Sequence, residues 1–361
     1  MTGVLGWANW ITRCADLNSR DTILNSNNNI LWTHSQMFLL AQRKLILDLP
    51  LILHKRIEAL PPGAYSAGLR AVLQHIQVAV GHHLRGTTQP DETAFTDAIY
   101  RTNQAFEGSL KEAYRVLTGK DPLKIRPFDI ETFFQEHGIL RTRVLAQFSN
   151  YRKEWRNPSA HDYQLDFDED EALLAIVSVC AFAIVLIDQI VEKLSFDAAK
   201  AATPRAVPTK GSTKSLPDLV AEAVEKFEFS SSAEKSQNHA RETEITGALA
   251  GYLSSAIPDA QVDLEPRLSN DSPARPDLLI KVGDEQLLIE VKRVGRLFLN
   301  LNDQYIAQVA QYIALSGIKE ALVYVHSENP DKNLIREEHH LPELNARVVI
   351  IGPSHKNKAE C

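Results

Sequence analysis

The sequence predicts a two-part protein of class α followed by α/β: an all-helical N-terminal bundle, a linker, and a C-terminal α/β domain with a central mixed sheet. Apolar residues recur with a helical period up to about residue 195. Residues 198–217 hold three prolines, a glycine and small or basic side chains, which is linker composition. Short apolar runs typical of strands follow this stretch. We therefore expect domains at 1–197 and 218–361.

The N-terminal part contains stretches with a helical pattern and almost no strand-like runs, which favours a bundle of five or six helices. These stretches are 35–54, 69–80, 93–117, 139–155 and 172–194. The last one opens with 16 residues, 172–187, that are apolar except for Ser178. That length is short of the roughly 20 residues that cross a bilayer. We expect a fully buried central helix rather than a membrane span.

The C-terminal part contains a predicted β-hairpin that carries two acids and a lysine. Apolar strand formers flank the dipeptide Gly283-Asp284 on both sides. Asp277 starts the first strand, and Glu290 and Lys292 lie near the end of the second, so antiparallel pairing brings both acids to one end of the sheet. Glu290 and Lys292 are two residues apart and emerge on the same face. Two hard oxygen ligands beside an ammonium group predict a magnesium site for phosphodiester cleavage.

The motifs Pro276-Asp277 and Glu290-Val291-Lys292 resemble those of the PD-(D/E)XK nuclease superfamily, which has the restriction-endonuclease-like fold. An isolated Glu-x-Lys on a strand is more often a solvated strand end. Here, however, helix, hairpin, helix, strand and strand follow in the family's order over roughly 240–352. The resemblance implies a Mg²⁺-dependent nuclease, with Mn²⁺ able to substitute, in which Asp277, Glu290 and the backbone carbonyl of Val291 hold the metal and Lys292 positions or activates the attacking water.

The same family places a glutamate on the helix before the hairpin, and Glu242 is our choice for this third acid. It precedes Ile245 and Leu249 by three and seven residues, so it shares their sheet-facing stripe. Glu244 lies elsewhere on the helix circumference and is expected to face solvent. The resemblance thus gives Glu242 the role of a catalytic residue and metal ligand.

A helix predicted over 304–315 carries Gln308 and Tyr312, a Gln-x-x-x-Tyr pattern that many superfamily members show after the lysine strand. Residues four apart share a helix face, so both side chains are expected to point at the site, where they would support it or contact the nucleic-acid backbone. Two more strands are predicted at 321–325 and 347–351. Arg293 and Arg296, together with Lys292, form a basic patch expected to contact phosphates.

The helical part carries a second motif, Arg156-Asn157 followed by His161. It resembles the Arg-x4–6-His motif of HEPN domains over about 60–194. In that family the motif often serves a metal-independent ribonuclease, with histidine transferring a proton and arginine holding the phosphate. The resemblance implies catalytic roles for Arg156 and His161 and RNA contacts for Asn157, with the basic neighbours Arg152 and Lys153 adding phosphate contacts. The same motif also packs helices in inactive HEPN-like domains, so ribonuclease activity, dimerisation and nucleic-acid sensing stay open.

Composition limits the class of protein and the cellular compartment to be expected. The net charge of −7 excludes a generic polyanion binder, and the 44% hydrophobic and 24% charged contents are those of a soluble globular protein. Only three scattered cysteines are present, and the first residues lack the pattern of a signal peptide, so a cytoplasmic protein is expected.

The combined prediction is a nuclease, acting on DNA rather than RNA at the C-terminal site, that dimerises through the helical domain and serves prokaryotic defence against phage or plasmids. Two alternatives stay open. The helical domain is an RNase toxin and the C-terminal domain only recognises nucleic acid, or neither site is catalytic and the protein is a binding module.

Overall fold

A computed structural model describes residues 48–353 of the chain, apart from 141, 162–165, 207–213, 230–239, 270, 271, 273, 295–301 and 328–333. The side chains of residues 142, 143, 160, 161 and 302 also lie outside the description. Within these residues the protein is mixed α/β, with helices first and a mixed sheet in the C-terminal half. This confirms the predicted fold class at that level.

The helical part begins with residues 48–58, which are helical. The following helices are Ser66–Thr88 (α1), Thr93–Thr118 (α2), Pro127–Glu136 (α3), Thr142–Tyr151 (α4), Asn157–His161 (α5), Glu169–Ala202 (α6) and Leu216–Glu225 (α7). Helix α3 was not predicted; it starts with a proline at its first position, where the missing N–H costs nothing. Helix α6 extends five residues into the predicted linker, because the Ala-rich stretch 198–202 has high helix propensity.

Helix α6 is long and apolar enough to cross a membrane by length and composition, but 61% of its apolar window is buried in the protein. Such burial is that of a helix packed in a protein core. The expectation of complete burial was wrong, since the side chain of Leu174 is 55% exposed.

The described chain forms two compact units whose limits fall inside helices rather than at 197 or 218. The first comprises residues 48–55 together with the described residues of Val72–Ala105 and Ser149–Ala181. In it, Tyr151 donates hydrogen bonds from its hydroxyl to Thr102 Oγ1 at 2.7 Å and Asn103 Oδ1 at 3.0 Å. The predicted domain limits remain predictions.

The second unit comprises Arg56–Ala71, Phe106–Phe148 and all residues from Phe182 onward. The rings of Phe106, Phe148 and Phe182 pack together, with centroids 5.0 to 5.9 Å apart. This unit contains the sheet and the C-terminal half of α6.

The sheet has six strands in the order β1-β2-β3-β4-β6-β5. The strands are Gln261–Leu264 (β1), Leu278–Val282 (β2), Glu285–Val294 (β3), Glu320–Ser327 (β4), Leu334–Leu341 (β5) and Ala346–Pro353 (β6). Strands β3, β4 and β6 are parallel to one another, and the remaining neighbours pair antiparallel. The predicted hairpin is confirmed as β2 and β3, with Gly283 in the left-handed conformation of the turn at φ 55°.

Both edge strands, β1 and β5, were missed. β1 has only four residues, and β5 carries charged and histidine side chains that resemble a loop in composition. Polar residues on an edge strand discourage pairing with other chains, so sheet edges often lack an apolar signature.

Helices cover both faces of the sheet. Helix α7 and Glu242–Ala256 (α8) share one apolar core with Ile289, Val291 and Leu322. On the other face, Asn302–Ser316 (α9) packs through Val309 and Ile313. Alternation along β3 therefore directs Glu290 and Lys292 toward the α9 face.

Candidate active site at the end of the hairpin

Asp277 immediately precedes β2 and is held by two backbone groups. Its carbonyl accepts a hydrogen bond from the N–H of Glu265 at 2.8 Å, and its Oδ2 accepts one from the N–H of Val291 at 2.7 Å. Leu278 pairs with Ile289, so the next position of the antiparallel register sets Asp277 opposite Glu290. The predicted meeting of the two acids at one end of the hairpin is confirmed.

Glu290 lies on β3 and is only 3% exposed. Its Oε1 accepts hydrogen bonds from Lys292 Nζ and from Gln308 Nε2, both at 2.6 Å. Its Oε2 is buried and has no hydrogen-bond partner within the described residues. A buried carboxylate oxygen without a partner is costly, so it marks a position suited to a ligand.

The two acids disfavour each other's charge. Burial, and after it the carboxylate of Glu290, raise the pKa of Asp277 to about 8, against the opposing Val291 N–H and Lys292. Burial also raises the pKa of Glu290, although the hydrogen bond from Lys292 works in the opposite direction. For Lys292, burial favours the neutral amine, but the hydrogen bond to Glu290 and the nearby carboxylates outweigh it, so its pKa lies above the ordinary value. The site is therefore short of positive charge.

Glu242 is the first residue of α8 and lies next to this pair. Its Oε2 accepts a hydrogen bond from the N–H of Arg293 at 3.4 Å, and its charge contributes to raising the pKa values of Asp277 and Glu290. Glu244 acts instead on the guanidinium of Arg241. The structure brings Glu242 toward the site as predicted. The exposure argument was wrong, however, since Glu242 is exposed and Glu244 is half-buried.

Helix α9 closes the site from the other side. Gln308 Nε2 donates to Glu290 and also to the hydroxyl of Tyr312 at 2.6 Å, so both residues of the Gln-x-x-x-Tyr pattern belong to one hydrogen-bond chain that ends on Glu290. Sequence reasoning missed Tyr305, one turn earlier, whose pKa is raised by burial and shifted by the charges of Lys292 and Glu242. Its spacing of three from Gln308 was the available signal.

The donor set suits a hard divalent cation. Carboxylate oxygens from Asp277 and Glu290 meet at one place, one oxygen of Glu290 has no partner among the described residues, and burial raises the pKa values of both acids although Lys292 is close by. Among the described residues, no three His, Cys, Asp or Glu side chains already form a group that could hold a metal. Glu290 Oε1 is engaged with Lys292 and Gln308, and Glu242 is exposed. The Val291 carbonyl as a ligand stays a prediction, since the described contact to Asp277 is made by the Val291 N–H.

Arg293 is half-buried on β3, beside Lys292. Arg296 falls outside the described residues. Of the basic patch predicted to contact phosphates, Lys292 lies at the site. Alternation along β3 directs the side chain of Arg293 to the opposite face of the sheet, so its phosphate contact stays a prediction.

The second predicted motif lies on continuous helix rather than at a break. Between α4 and α5, residues Arg152–Arg156 form a π-helical turn, and the N–H of Asn157 donates to the carbonyl of Arg152. Pro158 does not break the helix, although proline inside a helix usually does. Proline lacks an N–H, and the π turn shifts the hydrogen-bond ladder just before it, so the helix continues to His161.

The motif residues have local partners. Arg156 Nη1 donates to Asn157 Oδ1 at 3.2 Å, and the carbonyl of Arg156 accepts from Ser159 Oγ at 3.2 Å. Arg152 is half-buried and Lys153 is exposed. The side chain of His161 lies outside the described residues, so the Arg156–His161 pair stays a prediction.

Comparison with protein-family models, with curated proteins and with solved structures finds no match for this chain.

Proposed function

We propose that this protein is a Mg²⁺-dependent phosphodiesterase that cleaves nucleic acid at the end of the β2–β3 hairpin. One observation carries the proposal. A buried carboxylate, Glu290, and a half-buried one, Asp277, face each other beside Lys292, with one oxygen of Glu290 unpartnered among the described residues. A fold that needed these groups only for stability would gain by replacing them with apolar residues.

Asp277 and Glu290 would hold the cation, with Glu242 completing the acidic set. The chemistry supplied by a bound Mg²⁺ is neutralisation of charge on the scissile phosphate and a lowered pKa of the attacking water. Lys292 is charged and hydrogen-bonded to Glu290, so it would orient the water and the phosphate oxygens. Gln308 and Tyr312 would fix the rotamer of Glu290, because their hydrogen-bond chain ends on its Oε1.

The substrate class proposed is a DNA strand, by the resemblance to PD-(D/E)XK nucleases, with phosphate contacts from Lys292 and Arg293. A cytoplasmic location fits the buried thiol of Cys180, whose pKa burial raises to about 12, so that it is an inert core thiol. The homodimer, the ribonuclease role of the helical part and a function in defence rest on resemblance alone and stay proposals of lower rank.

A cleavage assay tests the proposal directly. Purified protein is incubated with single- and double-stranded DNA and with RNA, in Mg²⁺, in Mn²⁺ and in EDTA. We expect cleavage with either cation and none in EDTA. Cleavage of RNA in EDTA would favour the metal-independent ribonuclease instead, and no cleavage under any condition would favour a binding module.

A further inference from the structure

Helix α8, which carries Glu242, is tied at its first turn to helix α6. Asp188 of α6 accepts hydrogen bonds on the same oxygen, Oδ1, from the guanidinium groups of Arg56 and Arg241. All three side chains are half-buried, with 24% to 29% of each exposed. Ion pairs shielded to this extent hold geometry better than fully exposed pairs.

Arg241 is the residue from which α8 begins. It has extended backbone geometry, and its carbonyl accepts the first helical hydrogen bonds, from the N–H groups of Glu244 at 3.0 Å and Ile245 at 3.1 Å. Glu242 is its immediate neighbour. In the described part of the chain no side-chain hydrogen bond caps this helix start, so the ion pair of Arg241 is the described contact that fixes its position.

Two glycines fix the rest of α8 against α6. A Cβ added at Gly247 would lie 2.2 Å from the carbonyl oxygen of Glu192, and one added at Gly251 would lie 2.1 Å from that of Phe196. The helices therefore approach backbone to backbone, and larger side chains at these positions would separate them. The body of α8 is immobilised by packing, which leaves its first turn as the part set by the ion pair.

We propose that Asp188 is a positioning residue for the nuclease site, which acts through Arg241 to fix the first turn of α8 and so the carboxylate of Glu242. This inference rests on the proposed function for its consequence in catalysis. The second partner of Asp188, Arg56, is 132 residues from Asp188 in sequence and binds the same oxygen from outside α8. Replacing Arg56 leaves the Arg241–Asp188 pair itself in place, so it provides a matched comparison.

The test compares Asp188→Asn, Arg241→Gln and Arg56→Gln in the full-length protein. Hydrogen exchange is measured at the amides of Glu244 and Ile245, and at Ile257 near the far end of α8, whose amide donates to Leu253. We expect exchange at the first two amides to rise about fivefold in Asp188→Asn and Arg241→Gln, with Ile257 unchanged. Arg56→Gln should leave all three amides close to wild type.

Mn²⁺ affinity, measured by calorimetry, gives the second readout. Asp188→Asn and Arg241→Gln should each weaken it about tenfold, as expected for loss of a group that orients a ligand, and the double variant should be no worse than either. Arg56→Gln should change it less than twofold.

Unchanged exchange at Glu244 and Ile245 in Asp188→Asn would overturn the inference, as would faster exchange with unaltered Mn²⁺ affinity or equal effects from Arg56→Gln. The proposed function fails by a different result, namely a wild-type protein that cleaves nothing in Mg²⁺. The exchange measurement does not depend on cleavage.

Discussion

The site at the end of the β2–β3 hairpin and the segment 156–161, called the Arg156 segment, differ in which parts of the chain supply their hydrogen-bond partners. At the hairpin, Glu242, Asp277, Glu290 and Gln308 converge from α8, β2, β3 and α9, and one buried carboxylate oxygen is left without a partner among the described residues. In the Arg156 segment, the described hydrogen bonds of Arg156 are made to Asn157 and Ser159, and Ser159 in turn accepts hydrogen bonds from Tyr100 and Asn103 of α2. Convergent acids with raised pKa values are costly to a fold, whereas local hydrogen bonds stabilise a helix. The difference favours the hairpin as the place of chemistry.

The largest expected effect comes from removing an acid. Glu290→Gln should lower Mg²⁺-dependent cleavage by at least about a thousandfold, because it removes a negatively charged metal ligand. The control is Asp284→Asn in the turn at the opposite end of the same hairpin, which should keep wild-type activity. Initial cleavage rates are measured on a labelled DNA duplex, and circular dichroism confirms that each variant is folded. A folded Glu290→Gln enzyme with a wild-type rate would show that the metal site is wrongly assigned.

Lys292→Ala should reduce the cleavage rate about 100-fold, as expected when a group that orients or deprotonates water is lost. Mn²⁺ affinity should stay within about threefold of wild type, because an ammonium group is not a metal ligand. Lys281→Ala on the facing strand, which breaks a comparable ion pair with Asp263, is the matched control. If Lys292→Ala strongly weakens metal binding but leaves the single-turnover rate at saturating metal unchanged, then Lys292 contributes to metal binding rather than to activation of the water.

The two glutamates in the first turn of α8, Glu242 and Glu244, are expected to differ in their effect on the metal site. Glu242→Gln should weaken Mn²⁺ affinity and activity about tenfold, whereas Glu244→Gln should change either by less than twofold, because its charge acts on Arg241 rather than on the acids. Calorimetric titration of both variants checks this. A larger effect of Glu244→Gln than of Glu242→Gln would identify Glu244, rather than Glu242, as the third acid of the site.

Stability should respond to pH with a definite sign. The folded pKa of Asp277 is about 8, against an ordinary value near 3.8, so the folded protein keeps a proton that the unfolded chain releases between about pH 4 and pH 8. Stability is therefore lost as pH rises through that window, in metal-free protein. Asp277→Asn should raise the free energy of unfolding by about 1–2 kcal/mol at pH 8 and leave it nearly unchanged at pH 4.5.

Urea unfolding in EDTA at these two pH values measures that change. Asp263→Asn is the control of opposite sign, because Asp263 is paired with Lys281 at 2.8 Å and its pKa is lowered despite burial. It should destabilise the protein at pH 8. A stability loss in Asp277→Asn at pH 8 would mean that the Asp277 carboxylate is favourably held.

The smallest effect is expected in the helical part. Arg156→Ala should leave Mg²⁺-dependent cleavage within about twofold of wild type, since its described contacts are local and structural. The same DNA assay measures it, with RNA cleavage in EDTA followed in parallel. A tenfold loss of DNA cleavage, or loss of an EDTA-resistant RNA cleavage, would give the Arg156 segment a catalytic part and reverse the comparison.

Strong periodic patterns made the central elements predictable. The hairpin and strands β4 and β6 were predictable because apolar runs and a Gly-Asp turn specify buried strands, and α9 because its apolar residues recur with a helical period. Strand β5 was not, since Arg336, Glu337 and Glu338 give it the composition of a loop and only pairing with β6 makes it a strand. The π-helical turn before Pro158 could not be predicted from the sequence pattern either, because it depends on a shift in the backbone hydrogen bonds of the helix.

The sequence by itself determined which residue types meet at the end of the hairpin. The tight turn fixes the register of the two strands, and this register sets Asp277 opposite Glu290. Only the tertiary structure decided the rest. It turned Glu290 Oε1 toward Lys292 and Gln308 and left Oε2 unpartnered among the described residues. It also paired Asp188 with Arg241, the residue from which α8 begins. The Glu290–Gln308 and Asp188–Arg241 contacts join residues 18 and 53 positions apart, and tertiary packing, rather than any local preference, brings them together.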